Sequence, residues 1–117
     1  MRLLATYRDA GDVAVVDFTG EITLGEGSAT LRRMVRELVD KGKHKILLNL
    51  SEVSYIDSAG VGELVAAFTT VRGAGGELKL ASLTRRVHDI IQITRLYTVF
   101  DVQPDEKSAL GRFHATA

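Results

Sequence analysis

The hydrophobic positions follow two periods along the chain, and these periods predict an alternation of strands and helices. Short runs rich in apolar or β-branched residues predict strands. Stretches in which apolar residues recur three and four positions apart predict helices, as with Leu31, Met34, Val35 and Leu38. Turn-forming residues at 9–12 and glycines at 73–76 separate such elements. The predicted strands cover 3–8, 13–19, 46–50, 77–81 and 99–102, and the predicted helices end near 41, cover 58–72 and 84–93, and begin at 104.

The order of these elements predicts an α/β fold. It reads β-β-α-β-α-β-α-β-α, with about five strands and about four helices, and strands that alternate with helices form a mostly parallel sheet. In such sheets, functional sites lie at the carboxyl ends of the strands. Two predicted loops, 20–23 and 51–57, follow neighbouring strands. We therefore expect them to converge at one edge of the sheet, beside Ser58.

Ser58 stands where the second predicted helix begins. Serine is a favoured N-cap residue, and Ala59, Gly60 and Gly62 leave the first turn without bulk. Glycine costs a helix roughly 1 kcal/mol relative to alanine, so a purely structural helix start would more naturally carry other residues. We interpret the small residues as room for a partner surface at the serine hydroxyl. Two simpler readings stay open, namely an ordinary serine N-cap and a second capping acid at Asp57.

Composition indicates one domain over residues 1–117, with a frayed tail over 113–117. The 117 residues carry 15 basic and 15 acidic side chains, and this zero net charge argues against direct nucleic-acid binding. There is no cysteine, hence no disulfide framework or thiolate metal site. No apolar run has the length of a membrane span, and the first residues lack a signal-peptide pattern. These observations favour a cytoplasmic protein.

Catalytic chemistry finds little support in the sequence. A nucleophilic serine needs a nearby base, and His44, His88 and His114 are not predicted beside Ser58. Asp57 as a phosphoacceptor would need an acidic pair to hold Mg²⁺, which the early strands lack. The pair Arg85–Arg86 is interpreted either as an anion or partner contact or as solvated helix charge. We predict that the protein is not an enzyme and needs no cofactor. The more specific interpretation of Ser58 is a phosphorylation site, because the free N–H groups and the dipole of a helix start can hold the phosphate dianion.

The residues from about 13 to 113 resemble those of the STAS domain family, in its stand-alone form the bacterial anti-sigma-factor antagonist. The resemblance rests on the stretch Asp57-Ser58-Ala59-Gly60-Val61-Gly62 after Leu48-Asn49-Leu50, supported by Gly20-Glu21-Ile22-Thr23 and by Gly75-Gly76-Glu77-Leu78. Three positions depart from the family's common pattern, namely Thr23 for Asp, Ala59 for Ser or Thr, and Arg95 for Gly.

The resemblance implies a STAS fold and a partner switch in transcription regulation and the stress response. The unphosphorylated antagonist binds an anti-sigma factor that is also a serine kinase, and a sigma factor is released. The kinase then phosphorylates Ser58, and a serine phosphatase restores binding. The alternative is a stressosome-like scaffold or sensor STAS subunit whose serine is never modified. The expected partner-binding residues are Gly20, Glu21, Ile22, Thr23, Asp57, Ala59, Gly60, Val61, Gly62 and Glu63.

Overall fold

A five-stranded sheet organises the computed structural model, which describes residues 2–114. Its strands lie in the order β1-β2-β3-β4-β5. The edge strand β1 is antiparallel to β2, and the remaining neighbours are parallel. The α/β fold with about five strands and four helices is confirmed. The strands are β1 (Leu4–Ala10), β2 (Val13–Ile22), β3 (Lys45–Ile56), β4 (Glu77–Ala81) and β5 (Val102–Gln103), and the helices are α1 (Glu26–Asp40), α2 (Ser58–Gly73), α3 (Arg85–Ile93) and α4 (Glu106–His114), with a 3₁₀ turn at Leu96–Thr98.

The two faces of the sheet are covered unequally. Alternate residues of a strand point to opposite faces, and in β2 the pair Ala14 and Val16 packs into the larger core, whereas Val13 and Val15 pack into a smaller one. Helices α1, α2 and α3 contribute to the larger core, and α4 closes the smaller one with Ala109 and Phe113. Because both faces are covered, the central strands are apolar without clean alternation.

Strands β2 and β3 are longer than the sequence predicts. Residues 20–22 and 51–56, which we expected to be loops, continue these strands to Ile22 and Ile56. The β2–β3 register shifts between Asp17 and Thr19 and again between Gly20 and Glu21. These irregularities re-aim the side chains, so that β3 buries Val53 and Ile56 while the polar residues between them face outward. The alternation that would have predicted a strand is therefore lost.

The end of β3 forms a two-stranded extension with β2. Strand β3 pairs with β4 only from Lys45 to Asn49, whereas its pairing with β2 continues to Ile56. On the side that β4 leaves free, the Thr84 hydroxyl donates a hydrogen bond of 2.7 Å to the Val53 carbonyl. We call residues 51–56 with their β2 partners the β2–β3 extension. It projects past the rest of the sheet and carries the start of α2 at its tip.

Two expectations near the carboxyl terminus were wrong. The last strand covers Val102–Gln103, and the predicted span 99–102 lies largely in the turn that precedes it. The frayed tail expected over 113–117 begins too early, because Phe113 is helical and fully buried. Residues 115–117 lie outside the described part of the chain. No helix within residues 2–114 is long and apolar enough to span a membrane.

Candidate functional site

Ser58 is the first residue of α2, and Asp57 is its N-cap. The Asp57 backbone is extended (φ −102°, ψ −177°), and its carboxylate accepts a hydrogen bond of 2.8 Å from the Gly60 N–H. Aspartate caps a helix as well as serine does. The expectation that Ser58 caps the helix is therefore wrong, and the alternative reading of Asp57 is right. Asp57 provides the cap, and the Ser58 side chain is exposed and makes no hydrogen bond with any residue from 2 to 114.

The Asp57 carboxylate joins two elements at the edge of the sheet. Besides capping α2, it accepts a hydrogen bond of 3.0 Å from the Leu24 N–H, in the turn between β2 and α1. The Asp57 N–H in turn donates to the Ile22 carbonyl at 3.3 Å. The hydrogen bonds from the Leu24 and Gly60 N–H groups hold the pKa of Asp57 below its usual value. The predicted convergence of residues 20–23 with the Ser58 helix start is thus confirmed.

Several residues expected at the partner surface also have structural roles. Gly20 and Ile22 are buried within β2. Gly20 has φ +125°, and a Cβ there would lie 2.1 Å from the Arg2 carbonyl oxygen. The Glu63 carboxylate is held by Arg32 of α1, with an Nε–Oε1 distance of 2.8 Å. Glu21 and Thr23 are half-buried, and the Thr23 carbonyl accepts hydrogen bonds from both the N–H and the hydroxyl of Ser28.

The small residues of the first α2 turn differ in what surrounds them. A Cβ on Gly60 would lie 2.1 Å from the Ile22 carbonyl oxygen and 2.8 Å from Ile56 Cγ1, so glycine is needed there for helix–sheet packing. The interpretation of Gly60 as room for a partner is therefore wrong. A Cβ on Gly62 would meet nothing within 4 Å, and this residue is exposed. Ala59 and Val61 are half-buried.

A groove of about 550 Å³ runs beside Ser58 between the end of β3, the start of α2 and one side of α3. Among its lining residues are Tyr55, Val61, Arg86 and Ile90. The Arg86 guanidinium carbon lies 5.5 Å from the centre of the Tyr55 ring, within the range of a cation–π contact. On the other side of Asp57, Leu24 is 79% exposed. Leu24 and Tyr55, the latter 39% exposed, are thus large exposed side chains near the Ser58 hydroxyl.

Leu24 and Tyr55 are not among the residues that the sequence predicts at the site, and Arg86 has two interpretations there. Leu24 follows a stretch that we took to be a loop, and its exposure depends on the turn after β2. Tyr55 faces outward only because of the register shifts in the extension. The available signal was a large apolar or aromatic side chain directly after a polar residue, with Thr23 before Leu24 and Ser54 before Tyr55.

The described residues offer little catalytic machinery around Ser58. The His44 carbonyl accepts from the Glu77 N–H at the opposite end of the 12-residue strand β3. His88 lies on α3, where its Nδ1 is 3.6 Å from Asp89. Among residues 2–114, no group of three or more acidic or histidine side chains could hold a metal ion. The site is therefore best described as an accessible hydroxyl at a capped helix start.

These features define a small α/β domain with an exposed serine at the start of a helix, beside a groove. The chain belongs to the STAS domain family, whose model matches residues 5–109. The anti-sigma-B factor antagonist of Bacillus subtilis is 34% identical over 87 residues, which cover 74% of this chain and 78% of that protein. The resemblance to the STAS domain family seen in the sequence is confirmed.

Solved structures agree with this assignment. The Thermotoga maritima protein TM1081 superposes with a TM-score of 0.85 at 26% identity and covers 92% of both chains. The anti-sigma factor antagonist SpoIIAA gives a TM-score of 0.70 at 16% identity in its unphosphorylated form, covering 95% of this chain and 98% of its own. Its phosphorylated form gives 0.71 at 18% identity, covering 94% and 99%. At these identities the likeness to SpoIIAA shows the fold.

Proposed function

We propose that the protein is an anti-sigma-factor antagonist switched by phosphorylation of Ser58. In the unphosphorylated state it binds an anti-sigma factor that is also a serine kinase. The sigma factor that the anti-sigma factor had held is then released. We take residues 1–117 as one STAS domain, acting in the cytoplasm, without enzymatic activity or a cofactor of its own. The observation that carries the proposal is the Ser58 hydroxyl, which is exposed and free of hydrogen bonds with the described residues at the start of α2.

Phosphorylation in this proposal uses ATP held by the kinase. The Ser58 oxygen forms a bond to the γ-phosphorus, the bond from that phosphorus to the β-phosphate oxygen breaks, and ADP leaves. The hydroxyl proton passes to a base on the kinase. A serine phosphatase later hydrolyses the phosphoserine and restores the binding form. Ser58 suits the acceptor role because its side chain is not needed as the helix cap, which Asp57 supplies.

The partner surface in this proposal comprises the exposed part of the α2 start and the neighbouring turn. Ser58, Gly62, Leu24 and Tyr55 are exposed and flank the half-buried Ala59, Val61 and Thr23. Asp57 contributes by holding the turn against the helix through the Leu24 N–H. Gly20, Ile22 and Gly60 support this surface from beneath, and Glu63 is tied to α1.

The added phosphate blocks this surface and does not refold the domain. It brings about −1.5 to −2 charges at pH 7, which the helix N-terminus favours by roughly 0.3–1 kcal/mol. The neighbouring Asp57 charge opposes that gain. At the interface, however, a dianion that loses water without gaining a partner is strongly disfavoured. We expect binding at least ~100-fold weaker, about 2.7 kcal/mol, with a nearly unchanged thermal midpoint.

The test combines intact-mass measurement with binding. The protein and its Ser58→Ala variant are each mixed with ATP and a candidate anti-sigma kinase from the same genome. We expect one phosphate on the parent protein and none on the variant, which still binds the kinase. Phosphate on Ser58→Ala would refute the assignment, and no phosphate on either protein with any such kinase would favour the scaffold or sensor alternative. Hydrogen exchange measured on both phosphorylation states tests whether the phosphate acts by blocking the surface. A loss of protection in β3 and α1 on phosphorylation would show a conformational change and refute the blocking model.

A further inference from the structure

Among the described residues Arg86 has no carboxylate partner, and it lines the same groove as Ser58. Its guanidinium carbon lies 5.5 Å from the centre of the Tyr55 ring, and it forms no ion pair with any residue from 2 to 114. The neighbouring Arg85 is 92% exposed and reaches Asp89 at 4.0 Å. The two arginines thus share a helix turn and a charge, but only Arg86 faces the groove.

The acidic groups around this groove are engaged elsewhere. The Asp57 carboxylate accepts from the N–H groups of Leu24 and Gly60. The Asp89 carboxylate is approached by Arg85 and by His88 Nδ1, the latter at 3.6 Å. The lining residues from β3 and α2, apart from Asp57 and the Tyr55 phenol, carry no ionisable side chain. Among the described residues the groove therefore brings together a guanidinium that forms no ion pair, at Arg86, and an exposed hydroxyl, at Ser58.

We propose that Arg86 binds the phosphate once Ser58 carries it, and so links the start of α2 to α3 across the groove. Guanidinium groups bind phosphate through two parallel hydrogen bonds. Contact with the Tyr55 ring already restricts the arginine, so less side-chain entropy is lost when the pair forms. The inference rests on the proposed function, because it concerns the phosphorylated state. The phosphate then also occupies the groove and covers Tyr55 and Arg86, which adds to the block on partner binding.

The experiment places phosphoserine at position 58 during translation, so that no kinase is needed. The second pKa of the phosphoserine is measured by ³¹P NMR titration in three proteins, namely the parent, Arg86→Gln and the matched control Arg85→Gln. A nearby positive charge favours the dianion and lowers this pKa. We expect the pKa in the parent and in Arg85→Gln to lie about one unit below that in Arg86→Gln, a tenfold change in proton affinity.

Two further measurements keep the result specific. In the phosphorylated parent, the side-chain Nε–H signal of Arg86 should shift across the same titration, and Arg86→Lys should retain part of the pKa difference. Equal pKa values in all three proteins, or an equal effect of Arg85→Gln and Arg86→Gln, would overturn the proposal. A failed kinase experiment leaves this titration valid, since the phosphate is installed directly. Failure of the Arg86 pairing likewise leaves Ser58 phosphorylation intact.

Discussion

Replacing Gly60 and Gly62 separately by alanine probes why the first turn of α2 is small. Both residues lie in the same helix, two positions apart, and the substitution is identical. The Gly60 Cβ would lie 2.1 Å from the Ile22 carbonyl oxygen, whereas the Gly62 Cβ would meet nothing within 4 Å. The contact at Gly60 is with a main-chain oxygen of β2. Because ordinary contacts lie beyond about 3.4 Å, relieving it requires the helix and the sheet to separate by about 1.3 Å.

The two variants should change the free energy of unfolding in opposite directions. Overpacking a well-packed site costs typically 1–3 kcal/mol and occasionally more, and alanine returns about 1 kcal/mol of helix propensity. Because the clash at Gly60 is with backbone, we expect Gly60→Ala to lose about 2 kcal/mol. Gly62→Ala has only the favourable contribution and should gain about 0.5–1 kcal/mol. The variants then differ by about 3 kcal/mol.

Urea unfolding followed by circular dichroism measures this difference. With a slope of about 1.5 kcal/mol per molar, typical of small domains, the midpoints of the two variants should lie about 2 M apart, on either side of the parent. If Gly60→Ala fails to fold while Gly62→Ala is stabilised, both changes still have the expected direction. Higher midpoints for both variants would show that Gly60 is not required for packing, and the original interpretation of it as room for a partner would regain its force.

Three other outcomes are expected. Asp57→Asn keeps one capping oxygen but loses the charge and the second acceptor oxygen; since the folded pKa of Asp57 is depressed, the parent should have a higher thermal midpoint than the variant at pH 7, and the difference should begin to shrink below about pH 4 and decrease further as pH falls through the depressed pKa. Arg95 has φ +57°, so Arg95→Gly should stabilise by about 1 kcal/mol in urea unfolding, and Arg95→Ala, which retains the Cβ, should not. Gly62→Leu should weaken binding to the anti-sigma factor in a calorimetric titration, whereas Gly73→Leu, equally open at the far end of α2, should bind like the parent; equal affinities would remove the α2 start from the partner surface.

Most of the fold could be predicted because the buried residues of its helices and strands follow simple periodic patterns in the sequence. Strand β4 has the predicted bounds, and α3 begins one residue later than the predicted 84 and ends at the predicted Ile93. The limits of β2 and β3 could not be predicted, since the register shifts that extend them arise from pairing between strands distant in sequence. Local sequence cannot report on such a shift, and polar residues between Val53 and Ile56 resemble a loop.

The convergence of residues 20–23 with the Ser58 helix start was predicted correctly, but the capping role expected of Ser58 belongs to Asp57. Asp57 and Ser58 are both good N-caps, so sequence alone does not decide which residue begins the helix. Gly60 is small because the Ile22 carbonyl passes beneath it, a neighbour 38 positions away that no local pattern reveals. The exposed hydroxyl at Ser58, by contrast, followed from its position after a strand and before an amphipathic run.

The β2–β3 extension separates the residues that could decide partner choice from those that hold the domain together. Its outward positions Ser51, Glu52, Ser54 and Tyr55 are exposed, while Val53 and Ile56 anchor it to the core. Exposed substitutions away from caps and cores usually change stability by less than about 0.5 kcal/mol. Discrimination between similar partners depends on differences in affinity, including repulsive contacts with the wrong one. A domain built this way can acquire a new specificity through its outward residues while its sheet stays the same.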